Sequence, residues 1–355
     1  MSDQKPKTDA QPGTQSEVPL KPGGTPSIGS VGAVDPLGIR AKIMLEPVSY
    51  MMTEANWPYR ETTIALQSQG DELGNFSLFG ANNPDSIRRV FERTLDIAIM
   101  NPSAILSMAH RGVGLFTEPM QVALIAVLPH SDQLGFAVSE ASRLTSLLDI
   151  REKRYPLRLS VRGSLDSSTT RMVEKVLDVH GFSYQDILDW GGSVSYDQPM
   201  PGGEPPGYPS RLGRVPQGEL DAVFEEGVMI WANAVPEAGM RFLDIDEAHL
   251  AELERVGFKR ATIEKSRYEN LPADVATVDF SGWPVYTRFD ASDLFIRKFC
   301  EGLEARKGSI PWRIGPSEQP ELPLARMVTD SPETPLDVPF HPAAQAVWTK
   351  LGYLS

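Results

Sequence analysis

The chain reads as an α/β protein, on three observations. Short apolar runs alternate with amphipathic segments of helical period over most of its length. Glycine closes several of the helical segments, as at Gly112 and Gly257. Turns rich in Asn, Pro and Ser recur where a strand hands over to a helix, as in "GANNPDSIRRV" and "IAIMNPSAIL".

At 355 residues the chain is long enough for two domains. Its 41% hydrophobic and 23% charged content is ordinary for a soluble globular protein. A net charge of −13 weighs against general nucleic-acid binding, which needs a positive field. Basic spots such as Arg88-Arg89 and 151–154 read as solvated faces. The one cysteine, Cys300, sits among apolar helix positions and reads as a buried structural thiol. The five histidines (His110, His130, His180, His249 and His341) are scattered without zinc spacing, so no metal site is expected. No nucleophile triad, phosphate loop or dinucleotide fingerprint is present, so neither a catalytic constellation nor a cofactor is expected.

The elements follow in order. Residues 1–35 are rich in Pro, Gly, Ser, Thr and charge, which predicts a disordered tail. They lack an apolar core of signal-peptide type, which predicts an unsecreted, cytoplasmic protein. No run approaches the ~20 apolar residues of a membrane span. "GIRAKIMLEP" reads as a first strand, and "MTEANWPYRETTIALQSQG" as a loop entering a helix. "FSLFG", "DSIRRVFERT", "LDIAIM" and "AILSMAHRG" read as strand, helix, strand and helix, which predicts a parallel sheet with helices on its faces. "MQVALIAVLP" and "LGFAVSE" are apolar strands, and "LTSLLDIREKRYP" is a short helical piece. "LSVRGSLDSSTTRMVEKVLDVHGF" reads as strand, polar turn and helix, and "GFSYQDILDWGGSVSY" as loop and strand end. Residues 197–218, dense in Pro and Gly, form a long surface loop or arm. "LDAVFEEG" and "MRFLDID" resume the strands, "EAHLAELERVG" is a helix, and "DVATVDFSGWPVYTR" is β-rich. The helices "ASDLFIRKFCEGLEARKG" and "PFHPAAQAVWTKLGYL" close the chain.

The polar turns supply the candidate site. At the turn that opens the helix at 168, Ser167, Ser168 and Thr169 can cap orphan backbone N–H groups. The same N–H groups, the hydroxyls and the positive helix end also suit a carboxylate or phosphate. Arg162 and Arg171 can clamp a carboxylate, and Asp166 opposes one. Asn82 and Asn83, then Asn101 and Ser103, repeat the strand-to-helix geometry, at the strand ends where open α/β sheets hold ligands. Each is equally a plain turn. Glu225 and Glu226 follow an apolar strand. Adjacent strand residues point to opposite faces, so one Glu facing a cation or solvent is expected rather than a working pair. Trp57, Tyr59, Trp283 and Tyr286 beside prolines read as pocket walls or as surface packing.

The ordered series "ANNPDSIRRVFERTLDIAIMN", "RGSLDSSTTRMVEKVLDVHGF", "DAVFEEG" and "VPFHPAAQAVWTKLGY" resembles the TAXI family of solute-binding proteins, the substrate-capturing subunits of some TRAP transporters. The resemblance covers roughly residues 40 to 354. It implies a two-lobed type II periplasmic-binding-protein-like fold with a ligand cleft between the lobes. Lobe I is then 36–136 plus 276–355, and lobe II is 137–275. It implies a small carboxylate ligand, an organic acid or amino acid, and a transporter membrane subunit or a second copy as partner. It would place the protein in the periplasm. By position it implies Asn83, Asn101, Ser167 and Thr169 as ligand contacts, with Asn82, Ser103, Ser168 and Glu225 beside them; the clamp candidate Arg162, and Trp57 at the aromatic-Pro end of the first loop, complete the candidate set. The chain departs from the family at "DSST", where Asp166 stands in place of a glycine. Two other functions remain open on the same fold: an enzyme acting on an organic acid, a decarboxylase or lyase with His110 or Glu225 as proton carrier, and a metabolite-sensing partner protein that uses the 197–218 arm.

Overall fold

The computed structural model describes residues 36–53, 61–68, 74–197, 210–310, 312–314, 317–319, 321–329, 331–335 and 337–355. The expected tail at 1–35, Trp57, Tyr59 and most of the arm (198–209) lie outside the described residues. The chain divides into two units, Met1–Pro58 and Tyr59–Ser355.

The first unit contains helix α1 (Pro36–Thr53). The strand expected at "GIRAKIMLEP" is therefore helical. Ile39 and Ile43, then Met44, Val48 and Met51, recur every three or four residues rather than every two. No described helix is long and apolar enough to cross a membrane.

The second unit opens with β1 (Thr62–Leu66) and β2 (Phe76–Gly80), an antiparallel pair. A loop entering a helix was expected over β1, but Thr62, Thr63 and Ile64 are β-branched and favour the extended chain. Helix α2 (Asp85–Phe91), β3 (Ile97–Ile99), α3 (Ser103–Arg111) and β4 (Val122–Leu128) follow. The chain then crosses to β5 (Gly135–Ser139), α4 (Leu147–Glu152), β6 (Arg158–Arg162), α5 (Ser168–Val179), α6 (Tyr184–Asp189), β7 (Ser193–Asp197) and β8 (Ala222–Glu225). After α7 (Val228–Trp231), α8 (Ala234–Glu237), β9 (Met240–Phe242) and α9 (Glu247–Arg255) comes the hairpin β10 (Arg260–Ile263) and β11 (Val275–Val278). The return brings β12 (Trp283–Arg288), α10 (Asp293–Arg306), a second hairpin of β13 (Trp312–Ile314) and β14 (Ser317–Gln319), α11 (Leu324–Met327) and α12 (Pro342–Lys350).

Two five-stranded sheets result, ordered β1-β2-β3-β12-β4 and β7-β6-β8-β5-β9. Each takes one strand from just beyond a crossing, β12 in the first and β5 in the second. Each of those strands runs antiparallel to both neighbours. The sheets are therefore mixed. The expected parallel pairing holds for β2–β3, β6–β7 and β6–β8. The two crossing segments pair with each other: Leu134 N–H donates to Val278 O (3.1 Å), Phe280 N–H to Asp132 O and Gly282 N–H to His130 O, both at 2.8 Å. Two sheets that exchange strands through a paired double crossing make the two-lobed α/β fold of the type II periplasmic-binding-protein kind.

Packing positions the turns. In α5, Met172, Val173, Val176 and Leu177 form one buried face, clustered with Leu159 and Val161 of β6 and Leu250 and Leu253 of α9. The C-terminal helix returns to the first sheet, where Trp348 Nε1–H donates to Ile125 O at 2.8 Å. Cys300 is buried as expected, and desolvation pushes its thiol up to about 12, far from a nucleophile's range. Residues 184–189, expected as loop, form α6. Ser183 and Asp186 there cap each other's backbone N–H groups in a reciprocal box.

Candidate functional site

Each of the three polar turns is shaped by its own side chains. At the β2–α2 turn, Asn83 Oδ1 accepts the Asp85 N–H (2.9 Å), and its carbonyl accepts the Ser86 hydroxyl (2.5 Å). Asn82 Oδ1 is buried there with no partner. At the β3–α3 turn, the Asn101–Pro102 bond is cis, and Ser103 N–H donates to Ser281 O (3.0 Å) on the returning crossing segment. Ser103 Oγ is buried without a partner. At the β6–α5 turn, Ser167 is the N-cap, its Oγ accepting the Thr170 N–H at 3.2 Å. Ser168 and Thr169, the first residues of α5, are fully buried, and both hydroxyl oxygens lack partners. The capping and anion readings of this turn thus fall to different residues. Ser167 caps, while Ser168 and Thr169 keep spare hydrogen-bonding capacity beside the positive end of the helix.

The turns meet across the two sheets. Ser168 N–H donates to Asn82 O at 3.2 Å, and Asn83 Nδ2–H donates to Asp166 Oδ2 at 3.2 Å. Asn101 Nδ2 lies 3.5 Å from Glu226 Oε2. Of the residues expected at the site, Asn82, Asn83 and Asn101 of the first sheet are thus joined to the β6–α5 and β8–α7 turns of the second. Ser103 packs instead on the crossing segment, against Gly282.

The charged part of the site was only partly legible. Arg162 ion-pairs with Glu225 Oε1 (3.0 Å) and also with Glu226. Glu225 is completely buried and also pairs with the buried Arg211, whose Nε–H donates to Ser160 Oγ at 2.8 Å. Burial raises the Glu225 carboxyl, and the Arg162 and Arg211 guanidiniums oppose that rise. Glu225 therefore faces cations, as one reading had it, but those cations are the protein's own and its side chain is fully buried. Glu225 and Glu226 were expected to diverge, yet both reach the same guanidinium. The strand ends at Glu225 and the chain turns through Gly227 in the left-handed region (φ 66°), so strict alternation stops there. Arg162, expected as a clamp for a ligand carboxylate, already carries two carboxylates of the protein.

Asp132 escaped the sequence reading because nothing in "PHSDQLG" marks it. It lies on the outgoing crossing segment, 1% exposed. Its carboxylate accepts N–H groups from Gly227 (2.7 Å), Val228 (3.1 Å) and Gln133 (2.8 Å). Burial pushes it up to about 7, against those hydrogen bonds and the Arg162 charge. Asp132 thereby ties the crossing segment to the turn that carries Glu226.

Among the described residues one group has metal-capable side chains, His180, Asp246 and His249. The imidazoles stack with centroids 4.2 Å apart and planes 10° from parallel, so their in-plane lone pairs do not converge on one point. Asp246 is engaged as the N-cap of α9 and with His249 Nδ1. The stack lies on the α5–α9 packing, away from the polar turns.

No protein-family model matches the chain, and no curated protein matches it. Among solved structures it is similar to the alkanesulfonate-binding protein SsuA of Xanthomonas axonopodis pv. citri bound to MOPS, at 14% identity and a TM-score of 0.31, over 64% of this chain and 60% of that one. It is similar to the glycine betaine/L-proline-binding protein ProX of Borrelia burgdorferi, at 11% identity and a TM-score of 0.30, over 59% and 64%. It is also similar to the substrate-binding protein of an amino acid ABC transporter, at 13% identity and a TM-score of 0.27, over 64% and 72%. The chain thus spans less than two thirds of the length of the first two. All three are binding proteins of small solutes, the last two of ABC transporters, and at such values no ligand or partner carries over from them to this chain.

Proposed function

We propose that this chain is a solute-binding protein whose two lobes, one built on each five-stranded sheet, close on a small carboxylate. The observation that carries the reading is the set of buried, unpartnered side-chain oxygens where two polar turns meet: Asn82 Oδ1, Ser168 Oγ and Thr169 Oγ1. A buried polar atom without a partner costs about 1–3 kcal/mol, so such atoms in two turns that meet support a polar guest there. Ser168 and Thr169 supply hydroxyl donors at the positive end of α5, which suits one carboxylate. The double crossing supplies the hinge. The ordered motifs support a TAXI-like protein working with a transporter membrane subunit, and hence in the periplasm. Glu225 does not favour the enzyme reading, because it is enclosed by two guanidiniums.

Thermal denaturation with a panel of small monocarboxylates and amino acids at millimolar concentration tests the proposal. Specific binding to the folded state raises the melting temperature of wild type in a concentration-dependent way. A panel that leaves the melting temperature unmoved counts against solute capture.

A further inference from the structure

The second lobe answers its own arginine. Arg162 ends β6 at the start of the β6–α5 turn, and two carboxylates of the protein hold it, Glu225 at 3.0 Å and Glu226. Glu225 is shared with Arg211, so two guanidinium charges face two glutamates. Glu226 is the member that reaches across the fold. One of its oxygens is on Arg162, and the other is 3.5 Å from Asn101 Nδ2 of the opposite sheet. Other acids stand nearby. Asp132 binds the backbone just after Glu226. Asp166 holds Asn83 at the next turn.

We infer that Glu226 is a specificity-determining residue that occupies Arg162 as a ligand carboxylate would, and so restricts the site to solutes with a single carboxylate. This rests on the carboxylate reading above and narrows it. One ligand carboxylate finds the hydroxyls and helix end of α5. A second finds Arg162 already neutralised and has to settle near Glu226 and Asp166, where like charges repel in a partly desolvated space. Glu226→Gln keeps the shape and the contact to Asn101, removes one anion and leaves Arg162 with charge to offer.

The experiment compares wild type with Glu226→Gln by calorimetric titration, using probes matched in length: butyrate, succinamate and succinate, and then the corresponding five-carbon set. In wild type the half-amide or monocarboxylate binds about tenfold or more tighter than the dicarboxylate of the same length. In Glu226→Gln that preference shrinks or reverses through tighter dicarboxylate binding. Circular dichroism confirms that the variant is folded, and the wild-type comparison stands without it. Dicarboxylates that bind wild type as well as their half-amides, or a preference unchanged in Glu226→Gln, overturn the inference and leave the carboxylate reading in place. Probes that bind neither protein overturn both.

Discussion

Glu226 Oε2 lies 3.5 Å from Asn101 Nδ2, and the two residues come from different sheets. Through Arg162 and Glu225 this contact continues to Arg211, Ser160 and Asp197, whose carboxylate accepts the Ser160 hydroxyl at 2.5 Å. A line of polar groups thus runs from Asn101 through the buried Glu225–Arg211 pair to the part-exposed Asp197. Each partner added along it lowers the cost of burying the last one.

The Arg211–Glu225 pair is the most deeply buried link, with side-chain exposures of 1% and 0%. Arg211→Met leaves Glu225 with one cation fewer in a desolvated site and is expected to cost about 3–5 kcal/mol in urea unfolding. Arg93→Ala removes an exposed pair with Asp290 and is expected to change stability by about 0–1 kcal/mol. Equal effects would show that burial does not set the strength of these pairs.

Asp132 makes stability depend on pH. Its folded carboxyl titrates at about 7, against roughly 4 in the unfolded chain. Between those values the unfolded state has released the proton and the folded state has not. Stability from this group therefore falls as pH rises from about 4 to about 7, and stays low above that. Asp132→Asn removes the titration and also one acceptor for the Gly227 and Val228 amides. The variant is expected to be less stable than wild type at pH 5 and to gain on it by about 1–4 kcal/mol at pH 8. Parallel profiles for the two proteins would rule out a raised Asp132.

Gly282 is required by close approach as well as by backbone shape. At φ +79°, a Cβ there would sit 2.1 Å from Ser103 Oγ and 2.6 Å from the Glu333 carbonyl oxygen. Gly218 has a similar φ of +71° with nothing within 4 Å. Gly218→Ala is expected to cost about 1–2 kcal/mol, the penalty of a left-handed residue. Gly282→Ala should cost clearly more, because the crossing segment has to shift. Thermal melts of the two variants separate backbone strain from crowding.

Much of the architecture was legible because local signals agreed with it. The apolar runs at β4, β5 and β8, the Gly112 stop and the amphipathic faces of α5 and α10 each point to one structure. The misreadings have physical causes. The α1 segment has helical spacing that its β-branched and apolar content concealed. The β1–β2 pair and the return of β12 produce mixed sheets that no single segment encodes. At the site, the turns with Asn82, Asn101, Ser168 and Thr169 could be found from strand-to-helix handovers. Asp132, Arg211 and the joint action of Glu225 and Glu226 could not, because residues far apart in the chain assemble them. Of the two readings of the turn before α5, capping is met by Ser167, as its position immediately before the first turn dictates.

Native mass spectrometry of the protein as purified, compared with Ser168→Ala/Thr169→Val, puts the binding reading to its sharpest test. The two substitutions remove the unpartnered hydroxyls at the start of α5 and keep its cap. Ser167→Ala, the control, is expected to cost about 1 kcal/mol of stability and to retain the guest. The account predicts a small-acid adduct on wild type and on Ser167→Ala that is lost from the double variant while its fold is preserved. An adduct that survives in the folded double variant, or a wild type that neither carries an adduct nor takes one up from added carboxylates, would contradict it.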